Sequence, residues 1–140
     1  METGLESSLK KDAYQYSGLA LAYLGDSALD LYVKEYFVRN VDMQPHKYHK
    51  EVTQIVKAVN QARFADEIGN LLTETESDIY RRGRNAQPHT KAKSATRAEY
   101  SKATGLEALF GYLYLTKQSE RFAELADMMI QEYLSTDNRQ

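Results

Sequence analysis

Apolar residues recur almost all the way round a helix between Ser17 and about Val38, at Leu19, Leu21, Leu24, Ala28, Leu31, Tyr32 and Val38. A helix that is apolar on nearly every side must be surrounded by others, so this segment is expected to be the buried central helix. Val41 to Pro45 reads as a connection. In the second helix expected after it, Tyr48, Val52, Ile55, Val59, Phe64 and Ile68 keep near-3.6 spacing, with Lys50, Glu51, Lys57 and Arg63 on the opposite face and Gly69 as a stop. Thr73 and Glu76 match a capping box opening a short helix through Ile79 and Tyr80 that Gly83 ends.

Residues 84–97 are polar, rich in small side chains and interrupted by Pro88, which predicts a long surface loop. From about Ala98 the helical pattern returns, with an apolar run from Leu106 to Leu115. Ser119 then caps a last amphipathic helix carrying Phe122, Leu125, Met129, Ile130 and Leu134. No window alternates with the two-residue period of a strand. The expected fold is all-α, with five or six helices in one domain over 1–140, residues 1–16 forming an N-terminal extension and residues 84–97 a basic loop.

The composition narrows the function. A chain of 140 residues is long enough to bury a core without covalent or metal staples. The absence of cysteine excludes a disulfide scaffold, a thiolate zinc site and a cysteine nucleophile, and fits a reducing, cytoplasmic compartment. The first residues lack a basic then apolar secretory pattern. The most apolar run, Gly18 to Val33, is shorter than the ~20 residues a membrane crossing needs and contains Asp26 and Asp30. A net charge of −2 argues against binding nucleic acid through bulk charge, but the charge is unevenly placed. Arg81 to Lys102 carries seven Lys and Arg side chains against the single Glu99, a strip suited to phosphates on an otherwise acidic body.

Two carboxylates stand alone in apolar helices. Asp26 lies inside LALAYLGDSALDLYV, where an ionised acid is costly unless hydrogen bonds, a partner or a metal compensates it. Gly25-Asp26 could instead mark a helix irregularity in which the side chain bonds local backbone, and Asp30, one turn on, reads as solvent-facing. Glu107 is the sole charge between Gly105 and Leu115, and Thr104 to Glu107 could equally be a capping box. If the two helices pack side by side, Asp26 and Glu107 could share a divalent cation; few hard oxygen ligands, completed by water and phosphate, describe Mg²⁺. Such an ion activates a bound water and polarises a phosphoryl oxygen. His46, His49 and His89 lack metal-ligand spacing. The dense acidic cluster of an all-α nucleotide pyrophosphatase is missing, since Glu74 and Glu76 fall in a capping turn.

LALAYLGDSALDLYV resembles the signature helix of the ribonuclease III catalytic domain, and GLEALFGYLYL resembles that family's later metal-binding helix. RRGRNAQ between them, with no double-stranded-RNA-binding domain following, is similar to the short Mini-ribonuclease III branch. The resemblance spans roughly Ser17 to Leu115. It implies an all-α homodimer that cuts double-stranded RNA with Mg²⁺, with Asp26 as the signature aspartate and Glu107 as the metal-ligand glutamate. It also implies maturation of the large-subunit ribosomal RNA precursor, assisted by a ribosomal protein. Ala22 and Leu19 stand where full-length enzymes carry acids, and Thr104 replaces an aspartate; the short branch shares these departures. On this reading Arg82, Arg84, Asn85, Lys91 and Lys93 contact the RNA backbone, with His49 and Lys50 as further contributors. The alternative is a non-catalytic RNA-binding or ribosome-assembly module that uses the same strip.

Overall fold

A computed structural model of the chain describes residues 9, 11–86 and 96–137, and the expectations for Lys91 and Lys93 lie outside these residues. The described residues form six α-helices and no strand: α1 (Gly18–Asn40), α2 (Pro45–Val56), α3 (Ala58–Ile68), α4 (Glu74–Arg84), α5 (Arg97–Leu115) and α6 (Ser119–Asp137). The all-α expectation is met. No helix among them is long and apolar enough to cross a membrane.

The central helix is α5 rather than α1. It packs against α1, α3 and α4, and every residue from Ala103 to Leu106 and from Ala108 to Gly111 is buried. On α1 the buried positions Leu21, Ala22, Gly25, Leu29, Val33 and Phe37 form one stripe toward α5. Leu31 and Val38, read from the sequence as enclosed, are 66% and 65% exposed, and Tyr23 is 84% exposed. A sequence that is apolar all round therefore has one face against the core and another uncovered in the single chain.

The second expected helix is two. At Lys57 the backbone turns extended (φ −68°, ψ 154°), ending α2 and starting α3. The carbonyls freed at such a break need partners. Asn60 supplies one with a side-chain bond to the Gln54 carbonyl, and Gln61 Nε2 donates to the Val56 carbonyl at 2.7 Å. The apolar spacing runs through the break because only one residue leaves the helix.

The capping box at Thr73 forms as expected, and its Glu76 has a second task. Arg121 of α6 grips the Glu76 carboxylate with Nε and Nη2 at 2.9 and 2.8 Å and also donates to the Leu71 carbonyl at 2.8 Å. Burial pushes the Glu76 carboxyl up, but Arg121 and the Thr73 backbone N–H outweigh it and hold the group below its ordinary range. This ion pair, with the carboxylate buried and the guanidinium half-buried, fixes α6 to the start of α4. Against α5, Phe122 packs edge-on to Phe110 with ring centroids 4.9 Å apart.

Candidate active site

The crossing of α1 and α5 is backbone against backbone. Gly111 meets the turn of α1 at Leu21: a Cβ on Gly111 would sit 1.9 Å from the Leu21 carbonyl oxygen. Gly25 of α1 lies equally close to the backbone of α5 at Glu107, so the side chain that follows Gly25 and the one a turn before Gly111 are brought together. They are Asp26 and Glu107, whose carboxyls lie within hydrogen-bonding reach of each other. Asp26 is exposed at the surface and Glu107 is half-buried beneath it.

Neither local alternative for these acids is realised. The helix α1 runs unbroken through Gly25-Asp26. The start of α5 is capped by Thr96 and Glu99 in a reciprocal box, with N–H to side-chain oxygen distances of 3.1 and 2.9 Å. Thr104 sits two turns further in, buried, and donates to the Tyr100 carbonyl at 2.9 Å, so Glu107 has no capping task. Asp30 is half-exposed and paired with Lys34 at 2.9 Å, as a solvent-facing position would be.

Glu107 receives a hydrogen bond from Gln61 Nε2 at 3.1 Å. Burial pushes its carboxyl up to about 8; the Gln61 bond pulls it down, and the neighbouring Asp26 adds to the rise. Two acids held together at the edge of the core need a shared proton or a cation. Gln61 Oε1 is also buried with no hydrogen-bond partner. Two hard oxygen donors, mutual repulsion and an orphaned polar oxygen beside them fit a hydrated divalent cation. No cluster of three or more His, Cys, Asp or Glu exists among the described residues, so two carboxylates are the acidic complement there.

The basic residues divide by what they touch. Arg82 is half-buried and occupied: it donates to the Tyr14 and Tyr16 carbonyls at 2.6 and 2.7 Å, and its guanidinium lies 4.8 Å over the Tyr14 ring. Tyr14 also hydrogen-bonds Asp78, so this arginine straps the segment before α1 onto α4. Arg81 pairs with Asp78, and Lys102 with Asp66 at 2.9 Å. Arg84 and Asn85 are exposed at the end of α4, leading toward the basic loop, and His49 and Lys50 are exposed near the start of α2.

Two features lie outside the sequence-based expectations. Gln61 falls in register with Phe64, Ala65 and Ile68 on the buried face of α3, and a lone amide on an apolar stripe is a legible signal. The strap through Tyr14 and Arg82 joins residues 68 apart in the chain, and no local pattern announces it.

The chain is similar to known proteins along most of its length. A model of the ribonuclease III domain matches residues 19–118, taking in both carboxylates. The Mini-ribonuclease 3 of Enterococcus faecalis is 41% identical over 131 residues, covering 92% of this chain and 99% of that protein. That of Symbiobacterium thermophilum is 43% identical over 107 residues, covering 76% and 82%. A crystal structure of a Fusobacterium nucleatum protein superposes with a TM-score of 0.79 at 33% identity, over 89% of this chain and 99% of that one. A domain match that spans most of the chain, relatives aligned nearly end to end and an all-α fold in common lead to one assignment: the chain belongs to the ribonuclease III family, within its Mini-ribonuclease 3 group, and is an endoribonuclease.

Proposed function

We propose that this endoribonuclease cleaves double-stranded RNA with Mg²⁺ held by Asp26 and Glu107, and that it works as a homodimer. The observation that carries the reading is the meeting of those two carboxyls at the α1–α5 crossing. When bound, Mg²⁺ supplies an activated water and neutralises charge on the scissile phosphate. Asp26, at the surface, and Glu107, below it, are the oxygen donors that retain the ion, and RNA and water complete its shell. Arg84, Asn85, Lys91 and Lys93 follow the phosphate backbone, with His49 and Lys50 at the flank. Arg82 belongs to this strip by sequence but braces the N-terminal segment. The whole chain serves as one catalytic domain.

The uncovered side of α1 supports the dimer. Leu19, Tyr23, Leu31 and Val38 are exposed on the side of α1 away from the core, interleaved with the Asp30–Lys34 pair, and Asp26 lies at the border of that side. An apolar strip of this kind is covered in a stable assembly, and two copies meeting there would present one site to each strand of a duplex. The precursor of the large-subunit ribosomal RNA, presented by a ribosomal protein in the cytoplasm, is the substrate that kinship with Mini-ribonuclease 3 suggests.

The test is cleavage of a long RNA duplex by the wild type and Glu107→Gln, with Mg²⁺ and with a chelator, alongside sedimentation of the protein. Expected are Mg²⁺-dependent cutting by the wild type, none by the folded variant, unchanged RNA binding and a dimer. Cutting by Glu107→Gln, or by the wild type without a divalent ion, overturns the assignment.

A further inference from the structure

Gln61 is 1% exposed on the apolar face of α3, where its neighbours in register are Ala62, Phe64, Ala65 and Ile68. Its amide nitrogen is fully used: one N–H goes to the Val56 carbonyl at 2.7 Å and the other to Glu107 Oε2 at 3.1 Å. Its amide oxygen is buried and unpartnered. Burying an amide with an unmet acceptor is costly, and an aliphatic side chain of the same size would fill the space without that cost. Capping the end of α2 accounts for a single N–H, and Asn60 already serves that end through the Gln54 carbonyl. The second N–H and the orphaned oxygen are unexplained by folding.

The second N–H is explained by the site. The Val56 carbonyl belongs to the α2–α3 break, so Gln61 is anchored to backbone on one side and to Glu107 on the other. The carboxylate is thereby held from two elements: its own helix, α5, and the side chain from α3, which packs along α5. A free glutamate side chain at this depth has several rotamers, of which those facing Asp26 are useful for sharing an ion. A ligand kept in one orientation by a buried partner loses less entropy on binding.

We propose that Gln61 is a positioning residue for the divalent-cation site: its amide N–H fixes the Glu107 carboxylate in the orientation facing Asp26. The inference rests on the cation reading above and adds a third residue, from a third helix, to the site. Gln61 itself binds neither metal nor RNA directly.

The test measures Mn²⁺ binding to the RNA-free protein by the paramagnetic resonance of the free ion, in the wild type, Glu107→Gln, Gln61→Met and Gln61→Asn. Gln61→Met keeps the volume and removes the amide, and Gln61→Asn keeps the amide but withdraws it by one methylene. Expected is a loss of Mn²⁺ affinity of about 10–100-fold in both Gln61 variants, the range found when a supporting partner of a metal ligand is removed. RNA binding in chelator is expected to stay at the wild-type level, and duplex cleavage to recover at high Mn²⁺. Glu107→Gln is expected to lose the site altogether. If Gln61→Met melts at a lower temperature while its folded form binds Mn²⁺ like the wild type, Gln61 is only a cap and the proposal is overturned. Should Gln61→Met not fold, wild-type Mn²⁺ binding by Gln61→Asn overturns it equally. If the wild type and Glu107→Gln bind Mn²⁺ equally, the cation reading itself has failed.

Discussion

Gly25 on α1 lies against the backbone of Glu107 on α5 so closely that a Cβ there would fall 1.7 Å from the Glu107 carbonyl oxygen and 2.6 Å from the Gly111 nitrogen. The atoms in the way are backbone, which cannot move aside as a flexible side chain would. The helices must therefore separate to admit even a methyl group. Because Asp26 follows Gly25 directly, the same contact that holds the helices together sets the distance between the two acids.

Gly25→Ala is expected to cost about 3 kcal/mol or more, at the high end for overpacking, since the clash is with main chain. It is also expected to abolish cleavage in whatever fraction still folds. Urea unfolding and an RNA cleavage assay on the same preparation check this; a variant with wild-type stability and activity would show that the crossing is looser than described.

Arg121→Met removes both donors that neutralise Glu76 while keeping much of the apolar stem. A buried carboxylate left without its partner costs about 3–5 kcal/mol. The loss is expected to shrink on acidification, because a Glu76 stripped of Arg121 takes up a proton more readily. Chemical denaturation at pH 5 and pH 8 measures the difference.

Glu132 on α6 is pushed up to about 7, by burial first and then by hydrogen bonding and charge from Glu67, with Arg63 opposing. A carboxyl whose folded-state pKa exceeds its unfolded value of 4.5 holds a proton in the folded form that the unfolded chain releases. Its contribution to stability is therefore fully present below about pH 4.5 and is lost as the pH rises through 7. Glu132→Gln should match the wild type in acid and exceed it at pH 8 by about 1 kcal/mol after solvent screening, a shift of a few degrees in Tm. Thermal melts across that range decide it, and a variant no more stable at pH 8 than the wild type refutes it.

The basic strip makes a prediction about salt. Replacing Lys91 and Lys93 together by Ala should weaken duplex RNA binding and reduce the slope of log affinity against log salt by about one to two, since roughly 0.7–0.9 of a counterion is released per phosphate neutralised. Binding titrations between low and physiological salt give the slope directly. An unchanged slope removes this loop from the interface.

Much of the helical content is legible in the sequence because helix formation here is local. The capping box at Thr73, the stripe on α6 and the apolar run before Leu115 each depend on residues within a few turns, and each forms where its pattern places it. The α2–α3 break is hidden because a single extended residue, Lys57, leaves the apolar spacing intact; what ends α2 is a pair of side-chain amides bonding backward. The capping pattern at Thr104 misleads for a related reason: such a pattern is a local permission, and Thr96, with Glu99, claims the helix start instead.

By itself the sequence determined the helical class, the isolation of Asp26 and Glu107 in apolar surroundings and the concentration of positive charge from the last turn of α4 to the first turns of α5, since these follow from spacing and composition along the chain. Only the tertiary structure decided that α5 is the centre and that α1 leaves Tyr23, Leu31 and Val38 uncovered. It alone brought Gln61 under Glu107 and turned Arg82 inward to Tyr14 and Tyr16. The physical reason is that one-dimensional patterns state which residues prefer to be buried or charged, whereas which surfaces meet depends on how closely backbones can approach. Here two glycines on separate helices, Gly25 and Gly111, set that approach.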